Sequence, residues 1–118
     1  MFVYGPNVSA LKAFGVKLQS TANNTANMLT DGYKRTRVEF ADVKTGGVTA
    51  TVTRDLTPGT YLPPQPGTPN PDQPRETSNV DLVQETVDLI VTQRAFQANA
   101  RFLSTMEETT GTIIDIIK

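Results

Sequence analysis

The hydrophobic positions of the chain form two heptad patterns separated by a polar middle. In the first, apolar or small residues recur alternately three and four apart, as at the a and d positions of a coiled coil: Val8, Leu11, Gly15, Leu18, Ala22, Thr25 and Leu29. This predicts an amphipathic helix from a cap at Asn7 to Leu29. The sequence Thr30-Asp31-Gly32 would end it, with Gly32 in the left-handed C′ conformation.

The second pattern is longer and more hydrophobic. Its positions recur every seven residues (Leu82, Leu89, Phe96, Leu103, Thr110) and are interleaved with a second row (Thr86, Gln93, Ala100, Glu107, Ile114, Ile117). The pattern predicts a helix from about Asn79 to Ile117, opened by a capping sequence at 78–81. It would exceed the first helix by roughly 20 Å, at 1.5 Å per residue.

Both ends of the chain are expected to expose apolar side chains. The overhang of the second helix carries four isoleucines (Ile113, Ile114, Ile116, Ile117), and the chain starts with Met1-Phe2-Val3-Tyr4. Since paired helices of unequal length leave such groups uncovered, the pattern indicates an interaction surface.

The middle of the chain predicts two short strands and a connector. Strands are expected at Thr36–Val43 and Val48–Arg54, around a turn at residues 45–47, and residues 58–74 hold seven of the eight prolines. The expected fold is mainly α, with N- and C-terminal amphipathic helices forming a coiled coil, joined by a short β-hairpin and a Pro-rich connector. The corresponding segments are 1–32, 33–57, 58–77 and 78–118.

Composition removes most catalytic and cofactor chemistry. The chain has no His and no Cys, so the commonest general base, the commonest metal ligand and thiolate chemistry are absent. The paired acids Glu107 and Glu108 would point about 100° apart on a helix, which does not suit acid–base catalysis. We therefore predict no enzyme activity and no cofactor. No apolar run is long enough to span a membrane, and no cleavable signal peptide is visible.

Charge is distributed unequally along the chain. Residues 1–37 carry five basic side chains and one acid, whereas residues 76–118 carry seven acids and three basic side chains. The two ends should therefore attract each other, within one molecule or between neighbours. The basic cluster Lys34, Arg35 and Arg37 is too small for phosphate-driven nucleic-acid binding. It predicts either a solvated strand face or ion pairs with acids of the long helix.

Two motifs resemble those of the flagellar basal-body rod and hook family. The first is ANNTANMLTDGYKR at 22–35, and the second is SNVDL at 78–82 followed by QRAFQANA at 93–100. Thr25 stands where that family usually has an aliphatic residue, which weakens the first seam. The middle of the chain resembles the short connector of the family's proximal-rod members and leaves no room for a large β domain.

The resemblance implies a structural, self-assembling subunit of the torque-transmitting rod. Its expected partners are further copies, other rod and hook axial proteins and the flagellar type III export apparatus. Its expected location is the basal body, reached without a cleavable signal, as a homo-oligomer or filament that contacts neither nucleic acid nor the membrane interior.

The same resemblance supplies the candidate assembly residues. The N-terminal set is Leu11, Leu18, Ala22, Asn23, Asn24, Asn27, Gly32, Tyr33, Lys34 and Arg35. The C-terminal set is Asn79, Val80, Asp81, Leu82, Leu89, Gln93, Arg94, Phe96, Gln97, Asn99 and Leu103.

From the residues alone, other interpretations stay open. The three asparagines at 23, 24 and 27 could form a polar helix face with a cap, and Arg94 could extend its charge to solvent from an apolar face. A small adaptor module that docks one protein partner is the alternative function. A peripheral membrane helix is disfavoured, because the acidic long helix would be repelled by anionic lipid.

Overall fold

Two helices and a β-hairpin make up most of the fold, as the sequence predicts. The computed structural model describes residues 5–117, so the apolar start Met1–Tyr4 lies outside the described residues. The elements in chain order are α1 (Gly5–Ala26), β1 (Thr36–Asp42), β2 (Val48–Arg54), β3 (Tyr61–Leu62), β4 (Arg75–Glu76) and α2 (Leu82–Ile117).

Both helices are shorter than predicted at the end nearest the middle of the chain. The helix α1 ends at Ala26 because the Asn27 side chain donates a hydrogen bond to the Asn23 carbonyl (2.9 Å), after which the chain turns. The helix α2 begins after Asp81, whose carboxylate accepts a hydrogen bond from the Val83 amide (3.0 Å). Asp81 is therefore the N-cap, and the predicted start at Asn79 was three residues early.

The hairpin β1–β2 is antiparallel, with Val38 opposite Val52 and Phe40 opposite Ala50. A hydrogen bond from the Val43 amide to the Gly47 carbonyl (3.1 Å) closes its turn. One face packs on α1, where the rings of Phe14 and Phe40 meet edge to face with centroids 5.6 Å apart. An isolated hairpin is marginal in water, and α1 supplies its support.

The helix α1 lies between the hairpin and α2 and contacts both. The helices are antiparallel, because Asn24 contacts Glu85 near the start of α2 whereas Asn7 contacts Met106 near its far end. Within residues 5–117 the buried apolar side chains are Ala13 and Val38. The radius of gyration is 20.9 Å, against about 13 Å for a compact 100-residue domain. Most apolar side chains therefore remain uncovered.

The Pro-rich connector leaves and returns at nearly the same place. Tyr61 pairs with Glu76 and Leu62 with Arg75, so residues 63–74 form an excursion from a two-residue ladder. Gly59 lies so close to the Thr77 carbonyl oxygen that a Cβ atom at this position would overlap it. The connector is consequently attached at both ends, which its proline content alone did not predict.

Gly32 has the positive φ expected from the sequence, but in a different setting. Its φ is 73°, while α1 already ends at Ala26, so Gly32 is not the C′ residue of the helix. Its amide donates to the Glu76 carbonyl (2.9 Å). The left-handed conformation thus directs the chain towards β4, and the prediction of a helix C-cap was wrong.

Candidate functional site

Asn24 is the centre of a buried hydrogen-bond network where the two helices and the hairpin meet. Its side chain is 1% exposed, on the last turn but one of α1. The amide nitrogen donates to the Thr36 carbonyl (2.9 Å) and to Glu85 Oε1 (3.0 Å). The amide oxygen accepts from the Thr36 amide (2.9 Å) and from the Tyr33 hydroxyl (3.0 Å). Every donor and acceptor of this side chain is satisfied, which fixes α1 against β1 and α2.

Asn79 plays the equivalent role at the start of the C-terminal segment. Its amide oxygen accepts from the Arg35 amide (2.7 Å), and its amide nitrogen donates to the carbonyls of Asp55 (2.8 Å) and Thr57 (2.9 Å). One side chain therefore connects the approach to β1, the loop after β2 and the approach to α2. We call the combined network the polar junction: Ser20, Asn24, Tyr33, Arg35, Thr36, Asp55, Asn79 and Glu85.

Ion pairs surround the junction. Arg35 Nε lies 3.1 Å from Asp55 Oδ2, and Lys34 pairs with Glu76. Hydrogen bonds from Thr57 and the nearby Arg35 lower the pKa of Asp55 to about 2. The hydrogen bond from Lys34 likewise lowers the pKa of Glu76.

These partners correct a prediction about the basic cluster. Lys34 and Arg35 were expected to face solvent or pair with acids of the long helix, and instead they bind acids of the connecting loops. The reason is that both residues precede β1 and therefore lie beside the loop that follows β2. Arg37, on β1, is exposed.

Glu85 is the least ordinary member of the junction. It is 4% exposed and faces Asn24, Lys17, Asp88 and Arg35. Burial raises its pKa, against the opposing effect of the hydrogen bond from Asn24. An ionisable group in such a place costs stability when charged, so it is expected to specify the fit of α2 on α1 rather than to strengthen it.

The junction opens into a polar cleft of about 430 Å³, with Lys17, Arg37, Glu39 and Asp81 among its lining residues. Charges of both signs line it, and Lys17 already pairs with Asp88 at 3.4 Å. Among residues 5–117 no group of three or more acidic side chains is arranged to hold a metal ion. No nucleophile with an adjacent base lies in the cleft, so the geometry supports positioning of chain segments.

The row of α2 that meets α1 is mostly polar or small. Glu85 and Thr92 are buried, and half-buried residues continue the row at spacings of three and four: Asp88, Ala95, Asn99, Leu103 and Met106. On α1 the buried residues are Ala13, Ser20, Thr21 and Asn24. The heptad rows that the sequence suggested are therefore not the rows that pair the two helices in this chain.

Large apolar side chains of α2 lie exposed in two groups. With 3.6 residues per turn, Val83, Val87 and Ile90 lie on the side of α2 opposite Glu85 and Thr92. These three side chains are between 49% and 73% exposed. We call this group the outer row.

The second group lies beyond the reach of α1. Residues 107–117 continue past the Asn7–Met106 contact for about 16 Å. This stretch, the overhang, exposes Ile113, Ile114, Ile116 and Ile117 by 51% to 78%. Three of the four continue the side of α2 that α1 covers further back.

The structure separates the candidate assembly residues into two sets. Brought together at or beside the junction are Asn24, Tyr33, Lys34, Arg35 and Asn79. Exposed on the helices are Ala22, Asn23, Leu82, Leu89, Gln93, Arg94 and Gln97, while half-buried positions are Leu11, Leu18, Asn27, Val80, Phe96, Asn99 and Leu103. Asp81 is the α2 cap, and Gly32 forms the turn towards β4.

Sequence reasoning missed Glu85, Thr36 and Asp55. Glu85 and Asn24 are 61 residues apart, and neither lies on the predicted heptad row. The only local signal was weak, namely a polar residue in the first turn of a helix that otherwise opens with apolar side chains. No helix within residues 5–117 has the length and hydrophobicity needed to cross a membrane.

Residues 76–116 match the family model described as flagellar basal body rod FlgEFG protein C-terminal. The match begins at Glu76, includes Asn79 and Glu85 of the junction, and covers nearly all of α2 with the outer row and most of the overhang. No curated protein matches the chain.

Proposed function

Because its C-terminal segment belongs to the flagellar basal body rod family, we propose that the chain is a structural subunit of the rod that self-assembles through its helices into the axial shaft. Its partners are then further copies and other axial proteins of the flagellum, and its location is the basal body. The family is one of structural proteins, and the cleft described above offers no arrangement for catalysis.

The distribution of apolar surface along α2 carries the proposal. The helix uses polar and small side chains to meet α1 and leaves its outer row and overhang uncovered. A monomer with this arrangement exposes more contiguous apolar surface than a soluble protein ordinarily does, and such patches mark interaction sites. Neighbouring subunits that cover both groups would complete a core that the single chain lacks.

The placement of the two groups favours a filament over a single partner. The outer row and the overhang lie on different sides and at different ends of a helix of 36 residues. An adaptor that docks one protein needs one such face. Two separated faces fit two neighbours in a head-to-tail arrangement, which without ring closure extends as a helical filament.

Torque transmission and export follow from the same design. Parallel arrays of long helices resist twisting when neighbouring faces are buried against each other. A chain with few buried apolar side chains is also easily unfolded, which suits export through the type III apparatus without a cleaved signal. The short middle region favours a position in the proximal rod, as in the family member usually called rod protein C.

Association can be tested with a variant of the overhang. We expect the wild-type chain to self-associate and gain helix as its concentration rises, measured by sedimentation velocity and circular dichroism. Ile116→Ser combined with Ile117→Ser should lose about 3 kcal/mol or more of association free energy, since each buried Ile contributes about 1.5–3 kcal/mol. The matched control, Glu107→Gln with Glu108→Gln, changes polar groups of the same stretch and should associate normally.

Two results would contradict the proposal. One is a rigid monomer whose helicity is constant from nanomolar to high micromolar concentration. The other is an electron microscopy map of intact basal bodies in which a labelled copy of this chain lies outside the rod.

A further inference from the structure

The hairpin has two open edges whose hydrogen-bonding groups are in the same phase. The Val43 amide bonds the Gly47 carbonyl and the Asp55 amide bonds the Arg35 carbonyl, so odd-numbered residues pair within the hairpin. The N–H and C=O groups of the even-numbered residues therefore point outward on both strands.

The helix α1 covers only the ends of these edges. Asn24 binds both backbone groups of Thr36, at the start of β1. Ser9 Oγ accepts from the Val48 amide (3.1 Å), at the start of β2. Within residues 5–117, the outward backbone groups of Val38, Phe40, Ala50 and Val52 form no hydrogen bond.

The edge of β2 lacks the features that usually prevent strand addition. Its sequence from Val48 to Arg54 contains no proline, and its only charge is at the last residue. β1 carries charged side chains at Arg37, Glu39 and Asp42. Soluble proteins protect exposed edges with charge, proline or bulges, and an unprotected edge serves as a template for another strand.

A groove accompanies this edge. Two cavities, of about 260 and 140 Å³, lie between α1 and β2 and share Val16. One wall is a stripe of α1 residues spaced three and four apart (Ser9, Lys12, Val16, Gln19, Asn23), and the other is β2. A strand edge beside a helix is the arrangement that accepts an extended segment by β-augmentation.

We propose that the free edge of β2 pairs with the free edge of β1 in a second copy of the chain, joining hairpins of neighbouring subunits into one antiparallel sheet. The inference rests on the proposed function, since a contact between two different edges is head-to-tail. It adds a second contact to the apolar surfaces of α2.

The register follows from the side chains that remain half-exposed. On the face turned towards α1, Val52 of β2 is 51% exposed and Phe40 of β1 is 42% exposed. Both residues belong to the outward-pointing phase. Placing Val52 opposite Phe40 of the second copy pairs the two and directs the exposed side of the ring towards the 140 Å³ cavity beside Val52.

The dimensions of the layers agree with such a sheet. Two strands occupy about 9.6 Å of sheet width, at 4.8 Å per strand. Packed helices lie about 8–10 Å apart. One α1 therefore fits beneath each two-stranded hairpin, and the helices of neighbouring copies can pack while their hairpins pair.

Cysteine cross-linking tests the contact, because the chain contains no cysteine of its own. In the proposed register Thr53 lies opposite Glu39 of the second copy, at a non-hydrogen-bonded pair where the Cα atoms are about 4.5 Å apart. Chains carrying Thr53→Cys are mixed with chains carrying Glu39→Cys, assembled and oxidised. The control mixes Glu39→Cys with Thr49→Cys, which moves the thiol about 13 Å along β2.

We expect the first mixture to give roughly tenfold more disulfide-linked dimer than the control. Adding Val52→Lys, which places a charge at the edge, should reduce that yield to the control level while the circular dichroism of the free chain is unchanged. Equal yields in both mixtures would overturn the proposal, and so would preferential linking of Thr53→Cys chains to each other, which indicates β2 against β2.

The outcomes also separate this inference from the proposed function. If the chains assemble but the first mixture does not cross-link, the edge contact is wrong and assembly through α2 stands. If sedimentation shows no assembly at all, both proposals fail.

Discussion

The two ends of α2 differ in how completely the single chain satisfies them. At the start of the helix, Glu85 contacts Asn24, and every polar atom of Asn24 has a partner. At the far end, Ile116 and Ile117 are each 78% exposed. One helix therefore begins in a finished polar network and ends in an unfinished apolar surface.

The difference separates folding from assembly. Hydrogen bonds depend on geometry, so the junction sets the direction and register of α1, α2 and the hairpin within each chain. Apolar burial depends on area rather than direction, so the outer row and overhang can be covered by neighbours without specifying the fold of the subunit. Variants at the two ends should consequently affect different measurements.

The largest effect is expected at the junction. Asn24→Ala leaves the Thr36 backbone groups, the Tyr33 hydroxyl and Glu85 without their partner, and each buried unsatisfied group costs about 1–3 kcal/mol. We expect a loss of about 3 kcal/mol or more in the free energy of unfolding, measured by urea denaturation. Asn23→Ala is the matched control and should change it by less than about 0.5 kcal/mol, because Asn23 is exposed. Equal effects of the two variants would show that the network does not hold the subunit together.

Two glycine substitutions should change stability in opposite directions. Gly59→Ala forces a Cβ against the Thr77 carbonyl and should cost about 1–3 kcal/mol, as overpacking does. Gly111→Ala, in the exposed overhang, meets nothing within 4 Å and should add about 0.5–1 kcal/mol through helix propensity. Thermal unfolding followed by circular dichroism gives both values. Destabilisation by Gly111→Ala in the free chain would mean that the overhang is packed there.

A smaller effect concerns pH. The pKa of Glu85 is raised above its ordinary 4.5, so the folded chain binds more protons than the unfolded chain, and this contribution to stability is lost as pH rises through the folded pKa. Glu85→Gln can keep the hydrogen bond from Asn24 without the charge, and should gain on the order of 1 kcal/mol at neutral pH. Urea titrations at a series of pH values should lose their decline above pH 4.5.

Asp55 provides the control of opposite sign. Its pKa is lowered from 3.8 to about 2, so its contribution is present above pH 3.8 and is lost as pH falls towards 2. Asp55→Asn should flatten that acidic limb and leave the behaviour above pH 4.5 unchanged. If Glu85→Gln flattened the acidic limb instead, the assignment of the two groups would be wrong.

The sequence predicts local structure here better than it predicts contacts. The bounds of β2 agree, and the helix limits differ by three residues, because β-branched runs and heptads act over short distances. The junction could not be predicted in the same way, since Asn24, Thr36, Asp55 and Glu85 meet only after the hairpin has folded across α1. The apolar heptads indicated correctly that α2 needs partners, but they did not show that α1 packs on a different row.

Hydrogen exchange of backbone amides, compared between the free and the assembled chain, tests the central claim most directly. We expect the α2 residues around Glu85 and Thr92 to be protected in both states, and residues 107–117 to become protected only on assembly. Protection of residues 107–117 in the dilute free chain would contradict the account, because it would mean that the overhang is already covered within a single molecule.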